Sequence, residues 1–153
     1  DAFRDGRVIV PADAFYEWEN PEHLAELGIA LPRKAPKQPW AYLPTGGRPF
    51  AFAGISTMRP GEQGEAVRTF SLITTEANAV VGRIHDRMPV MLVDEAARDA
   101  WLDPETPSDH LRALLGPAPD AVLVPRRVSR AVSNARNEGP GLLDEIPEAE
   151  ALF

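Results

Sequence analysis

No cysteine occurs anywhere in the 153 residues, which excludes disulfides, thiolate metal sites and a cysteine nucleophile within this chain. Long apolar runs are missing too. Nothing approaches the length of a membrane-spanning helix, no basic segment leads into an apolar one at the start, and Leu152-Phe153 carries no lipidation signal. A cytoplasmic protein is therefore expected. Positive charge is scarce: 16 Lys and Arg against 23 Asp and Glu leave a formal charge of −7. That argues against a surface that coats nucleic acid generically, but leaves room for a local basic groove. Also lacking are a glycine-rich phosphate loop, a helical pair of histidines and a serine elbow, so the common nucleotide-binding, zinc-hydrolase and serine-hydrolase readings fall away.

What is present centres on Arg83-Ile84-His85-Asp86-Arg87-Met88-Pro89-Val90. Pro89 biases Met88 toward extended backbone, so Met88–Val93 reads as a buried strand with an imidazole, a carboxylate and a guanidinium at its entrance. Such a mount suits proton transfer. It equally suits a plain loop in which Asp86 and Arg87 pair with neighbours and His85 serves a backbone carbonyl. A second carboxylate stands out in Phe15-Tyr16-Glu17-Trp18, where strand alternation puts Phe15 and Glu17 on one face and Tyr16 and Trp18 on the other. If Glu17 points inward, loss of water raises its pKa and makes it useful as an acid or base; otherwise it is a half-exposed strand glutamate. A metal site from Glu17, His85 and Asp86 would need more carboxylates than the motif offers, so no metal and no cofactor is expected.

The rest reads as scaffold. Sixteen prolines fit short strands and irregular connections. Arg7–Val10 ends a strand. Asn20-Pro21 caps a short helix over Pro21–Leu27 that carries a solvated His23, and Gly28 stops it. Arg33–Lys37 is a basic loop, a peripheral candidate for phosphate contact. Trp40–Leu43 and Phe50–Ala53 read as a hairpin through Pro44–Gly47. Arg68–Thr74 is a strand, and Thr75 can cap a helical piece over Glu76–Val81. Asp94 caps one helix with Ala97, Ala100 and Trp101 on one face. Thr106–Asp109 opens a second, with Leu111, Leu114 and Leu115 inward and His110 on the polar side. Ala121–Val124 and Arg126–Val132 return as strands, and Arg126, Arg127, Arg130 and Arg136 make this the most basic part of an acidic chain. The sum is an α+β fold, a mainly antiparallel, curled, barrel-like sheet with a few short helices. One domain over 1–153 is expected, with 147–153 as a fraying tail.

The pieces VPADAFYEW, FAFAGI, FSLITTEAN, IHDRMPVML, AWLDP and VSRAVSNARNEGP, in this order from Val8 to Ile146, resemble the SOS response-associated peptidase (SRAP) family. The resemblance implies a curled antiparallel α+β fold with a positively charged cleft for single-stranded DNA that contains abasic sites. It also implies an N-terminal cysteine, exposed by self-removal of the initiator methionine, that captures the open-chain sugar aldehyde as a thiazolidine. By the same resemblance Glu17 is the carboxylate assisting methionine removal and proton transfer at the cysteine amine, and His85 the acid/base that helps open the sugar. Arg87 would contact the phosphate beside the lesion, and Thr74 or Thr75 the same backbone. The expected protein is a cytoplasmic monomer that associates with the nucleoid on DNA damage. The family's opening Met-Cys-Gly-Arg segment and its Asn-Ala-Arg segment lie upstream of the Val-Pro-Ala-Asp motif, and neither is present there in this chain, which starts at Asp1 in mid-domain. The expectation is a fragment holding the C-terminal two-thirds of the family domain, the alternative a degenerate, non-catalytic single-strand binding module. A peptidase acting on other proteins is a further reading that no nucleophile here supports.

Overall fold

The computed structural model describes residues 2–32, 34 and 36–147. Expectations at Arg33, Ala35 and residues 148–153, in the basic loop and the acidic tail, lie outside the described residues. The chain runs α1 (Ala2–Asp5), β1 (Arg7–Ala12), β2 (Phe15–Trp18), α2 (Pro21–Glu26), β3 (Pro39–Pro44), β4 (Phe50–Pro60), β5 (Ala66–Leu72) and β6 (Thr74–Glu76). It continues with a 3₁₀ turn (Val81–Arg83), β7 (Arg87–Pro89), α3 (Glu95–Leu102), α4 (Ser108–Ala113) and β8 (Leu123–Arg127), with further 3₁₀ turns on either side of β8. The paired strands of the two three-stranded sheets run antiparallel, which makes the fold α+β as expected. Those sheets are open: β1-β4-β5 and β2-β3-β8, with β6-β7 as a two-stranded third. None of the described helices is long and apolar enough to cross a membrane.

The chain groups into two compact units. One comprises Asp1–Ala12, Pro49–Glu76 and Met88–Ala118, and the other Asp13–Arg48, Ala77–Arg87 and Pro119–Phe153.

In the first unit, Ala53, Val90, Leu92, Trp101 and Leu111 form the buried centre, joined by Ala97 from α3 and by Leu114 and Leu115 in the turn that follows α4. The Asp94 carboxylate caps α3 by accepting from the Ala97 N–H at 2.7 Å, as its position before an apolar-periodic run predicts. The strand expected over Met88–Val93 is shorter than that: β7 ends at Pro89, and beyond it only an isolated bridge from Met91 to Phe52 and single backbone bonds tie the segment in. Val90 donates to Ile73 and accepts from Ala53, and Leu92 donates to Ala51. Burial ends one residue early, with Val93 exposed.

The second unit is built on β3, whose Ala41 and Tyr42 are fully buried because β2 and β8 flank it. Here two expectations fail. Trp40–Leu43 and Phe50–Ala53 are no hairpin: β3 pairs with β2 and β8, whereas β4 pairs with β1 and β5. A strand has only two hydrogen-bonding edges, and on both strands these are taken by other partners. The strands at 121–124 and 126–132 are one strand, β8, framed by 3₁₀ turns at Asp120–Val122 and Arg130–Ser133. Pro125 sits inside it, which an edge strand tolerates because the missing N–H need face no neighbour.

Candidate active site

Glu17 is placed by strand alternation in β2. Phe15 stacks on Tyr42, its direct cross-strand partner, at 4.9 Å and 17°. Tyr16 and Trp18 meet on the opposite face at 6.4 Å, and the Trp18 indole N–H donates to Ser133 Oγ at 2.9 Å. Glu17 therefore shares the Phe15 side, opposite Trp40 on β3. Its side chain is 23% exposed. Burial pushes its carboxyl above the ordinary glutamate range; the nearby imidazole of His85 pulls it partly back, and the Asp86 carboxylate adds to the rise. The Tyr42 phenol is held well above its usual value by burial and then by the negative charge of Glu17, with Arg83 opposing. The carboxylate hemmed in by aromatic bulk is thus present in the structure.

His85 is held by a tight turn. Asn78 Oδ1 accepts from the N–H groups of Val80 and Val81 at 3.2 and 3.0 Å, and the Val81 carbonyl accepts from Ile84 and His85. Thr75 does not cap a helix over 76–81, since it lies in β6 and only the 3₁₀ turn beginning at Val81 is helical there; Asn78 gathers the N–H groups at the start of that turn instead. The turn is fastened to the start of α2 by two bonds. The Asn20 N–H donates to the Ile84 carbonyl at 2.9 Å, and His23 Nε2 donates to the Gly82 carbonyl at 2.7 Å. Asn20 also caps α2, accepting from Glu22 at 3.1 Å. His23 is therefore not the solvated residue expected from its place on a surface helix. Its imidazole is a brace between two segments that both contribute to the site.

Three groups converge on the His85 ring. Nε2 lies 3.7 Å from Glu17 Oε2, longer than a hydrogen bond but within ion-pair range. Nδ1 accepts from the Arg87 main-chain N–H at 3.1 Å and lies 3.3 Å from Asp86 Oδ1. In the neutral ring, an accepting Nδ1 leaves the proton on Nε2, directed toward Glu17. The two carboxylates thus address opposite ring nitrogens, and one metal ion on either nitrogen could not engage both. Among the described residues no group of three or more His, Asp or Glu is arranged to hold a metal. Glu17 and His85 open onto a cavity of about 470 Å³ that Lys37, from the basic loop, also lines.

Of the other sequence candidates, Arg87 is exposed at the start of β7, beside this pair in the chain. Thr74 and Thr75 lie in β6, exposed and half-buried respectively, in the first unit. His110 is exposed on α4. Sequence reasoning missed Asn78 and the second role of Asn20, and it misplaced His23.

The chain matches the family model described as SOS response associated peptidase (SRAP) over residues 1–135. It is 33% identical over 139 residues to the abasic site processing protein YoqW of Bacillus subtilis, covering 90% of this chain and 57% of that protein. It is also 33% identical over 151 residues to the abasic site processing protein HMCES of Xenopus tropicalis, covering 94% and 44%. A crystal structure of a Bacteroides thetaiotaomicron protein superposes with a TM-score of 0.78 at 24% identity, covering 95% of this chain and 59% of that one, a likeness of fold. The chain spans about half the length of the curated relatives it matches.

Proposed function

The chain belongs to the SOS response associated peptidase (SRAP) family, and on that premise we propose that it acts on abasic sites in single-stranded DNA, with Glu17 and His85 as its proton-transfer pair. The names of the relatives support the substrate. The observation that carries the chemistry is the Glu17–His85 pairing, in which a carboxyl kept from water faces an imidazole nitrogen at 3.7 Å.

An abasic sugar in its open form presents an aldehyde. Opening it requires a proton at the ring oxygen, which His85 Nε2–H supplies. The family's N-terminal cysteine then attacks through its amine, water leaves to give an imine, and the thiolate closes the ring to a thiazolidine. Glu17, with its carboxyl raised toward neutrality, takes the proton from the amine and returns it to the leaving water. The same carboxyl assists removal of the initiator methionine, so the peptidase activity is confined to the protein's own N-terminus. Arg87 contacts the phosphate beside the lesion, Thr74 or Thr75 bonds the same backbone, and the strand is unpaired because the aldehyde is unreachable within a stack. Residues 1–153 are read as one domain of this family, a reading supported by a family match over residues 1–135 that includes parts of both units. The protein works as a monomer in the cytoplasm, at the nucleoid, and needs no cofactor.

The covalent step needs a cysteine, and these 153 residues contain none. The test is a denaturing gel. The 153-residue chain, and a version carrying the family's Met-Cys opening segments ahead of it, are each incubated with an abasic single-stranded oligonucleotide. A denaturant-resistant shifted band is expected from the second alone. A processed N-terminal cysteine that gives no band would refute the reaction and leave a binding module.

A further inference from the structure

Two buried donors in the second unit have no acceptor. Trp40 Nε1–H and Arg127 Nε–H are shut off from solvent and make no hydrogen bond among the described residues. They are neighbours: Trp40 and Arg127 are direct cross-strand partners on β3 and β8, and the Arg127 guanidinium lies over the Trp40 ring at 5.6 Å. Leaving a donor buried and unpaired is costly, so two side by side call for a common partner. Both groups only donate, and one is cationic, so an acceptor that carries negative charge suits them best. The Nε edge of a guanidinium presents two parallel N–H groups, which fit two oxygens of one phosphate.

The place on the sheet says which phosphate. Glu17 is the cross-strand partner of Trp40 on its other side, so Glu17, Trp40 and Arg127 form one row across β2-β3-β8 and face the same way. Two strand spacings put Arg127 about 10 Å from Glu17. Arg126 cannot share the role, since its Nη1 is tied to the Leu143 carbonyl at 2.9 Å. From this geometry we infer that Trp40 and Arg127 form a seat for a backbone phosphate of the bound strand, near the one beside the lesion but distinct from it. Both residues are only half-buried as a whole, so a rotation of their side chains brings the dehydrated donors to an arriving phosphate oxygen, which gains their hydrogen bonds without stripping water from them. This inference rests on the reading of the chain as a single-stranded DNA protein.

The indole N–H signals report on it directly. Of the three tryptophans, Trp18 donates to Ser133 Oγ and Trp101 Nε1 to the Val8 carbonyl. The ¹⁵N-labelled chain is titrated in one arm with an undamaged oligothymidine and in another with inorganic phosphate. The expected result is a saturable downfield shift of the Trp40 indole proton with the oligonucleotide and little change with phosphate at equal phosphorus. Trp40→Phe, which keeps the ring but not the donor, and Arg127→Gln are each expected to weaken strand binding about five- to tenfold, Arg127→Gln also lowering the salt slope by about 1. Arg127→Lys, which keeps charge without the fork, guards against a folding defect and should recover the slope but not the indole shift. A strand that binds while the Trp40 signal stays still overturns the seat and leaves the DNA reading standing. A strand that does not bind at all overturns the DNA reading itself, and a phosphate-only shift would assign the seat to free phosphate and overturn the inference.

Discussion

The Arg87 main-chain N–H donates to Nδ1 of His85 at 3.1 Å, so the residue after next in sequence decides where the imidazole keeps its proton. With Nδ1 accepting, the neutral ring carries its hydrogen on Nε2, on the side of Glu17. The Asp86 carboxylate, 3.3 Å from Nδ1, can engage that nitrogen only when it bears a proton. Long-range ¹H–¹⁵N spectra at about pH 9, where a histidine is neutral, should show the Nε2–H tautomer for His85. A dominant Nδ1–H form would mean that Asp86 outcompetes the backbone and that Nε2 is no donor.

Glu17 makes stability depend on pH in a direction opposite to that of a salt-bridged carboxylate. Its folded-state pKa is raised, by burial first. Between the unfolded and folded values the native state therefore binds more protons than the unfolded one, and stability falls as pH rises through that window. Glu17→Gln removes the effect. The variant should gain stability relative to the wild type as pH is taken from about 4 to neutrality, read from urea melts. In an extended protein carrying the N-terminal cysteine it should slow crosslinking about 10²- to 10⁴-fold with DNA affinity nearly unchanged. Wild-type rates in the variant would remove Glu17 from the mechanism.

His23 reaches the site through the backbone. Its Nε2 donates to the Gly82 carbonyl at 2.7 Å, inside the turn that carries His85. His23→Ala should cost about 1–2 kcal/mol of stability and lower the rate of reaction with abasic DNA more than binding. His23→Gln, which can place an amide N–H near the same carbonyl, should recover much of both. If Ala and Gln variants react equally, the brace does not position the imidazole.

Legibility in the sequence tracked the range of the interaction. The side to which Glu17 points follows from period-two alternation among four adjacent residues, and the caps at Asn20 and Asp94 follow from side chains that reach only two or three residues ahead. The Trp40–Leu43 and Phe50–Ala53 pairing failed because both segments had better edges elsewhere: the partners of β4 are β1, about forty residues earlier, and β5. Turn signals between two strands report proximity in sequence and nothing about which edges are free. His23 was misread for the same reason, since its acceptor lies 59 residues away. Strand β8 was split in two because Arg126–Val132 alternates passably, yet the backbone turns after Arg127.

Arg87 and His85 are two residues apart and should fail in different ways. Arg87 is exposed at the mouth of β7, where, in its proposed role, its guanidinium meets a phosphate without being desolvated by the protein first. Its loss removes one counterion-releasing contact, so Arg87→Ala should weaken binding to single-stranded DNA and make the slope of log K against log salt shallower by about 1. The main-chain N–H that orients His85 survives this substitution, so the rate at saturating DNA in an extended, cysteine-bearing protein should change little. His85→Ala leaves the charge pattern intact when the ring is neutral. It should therefore keep the salt slope and lose about 10²- to 10⁴-fold in the rate with abasic DNA. A salt titration and single-turnover kinetics on both variants separate positioning from proton transfer. Should both bind and react as the wild type does, the stretch from Arg83 to Val90 would be structural, and the Glu17–His85 pair an ion pair with no part in the chemistry.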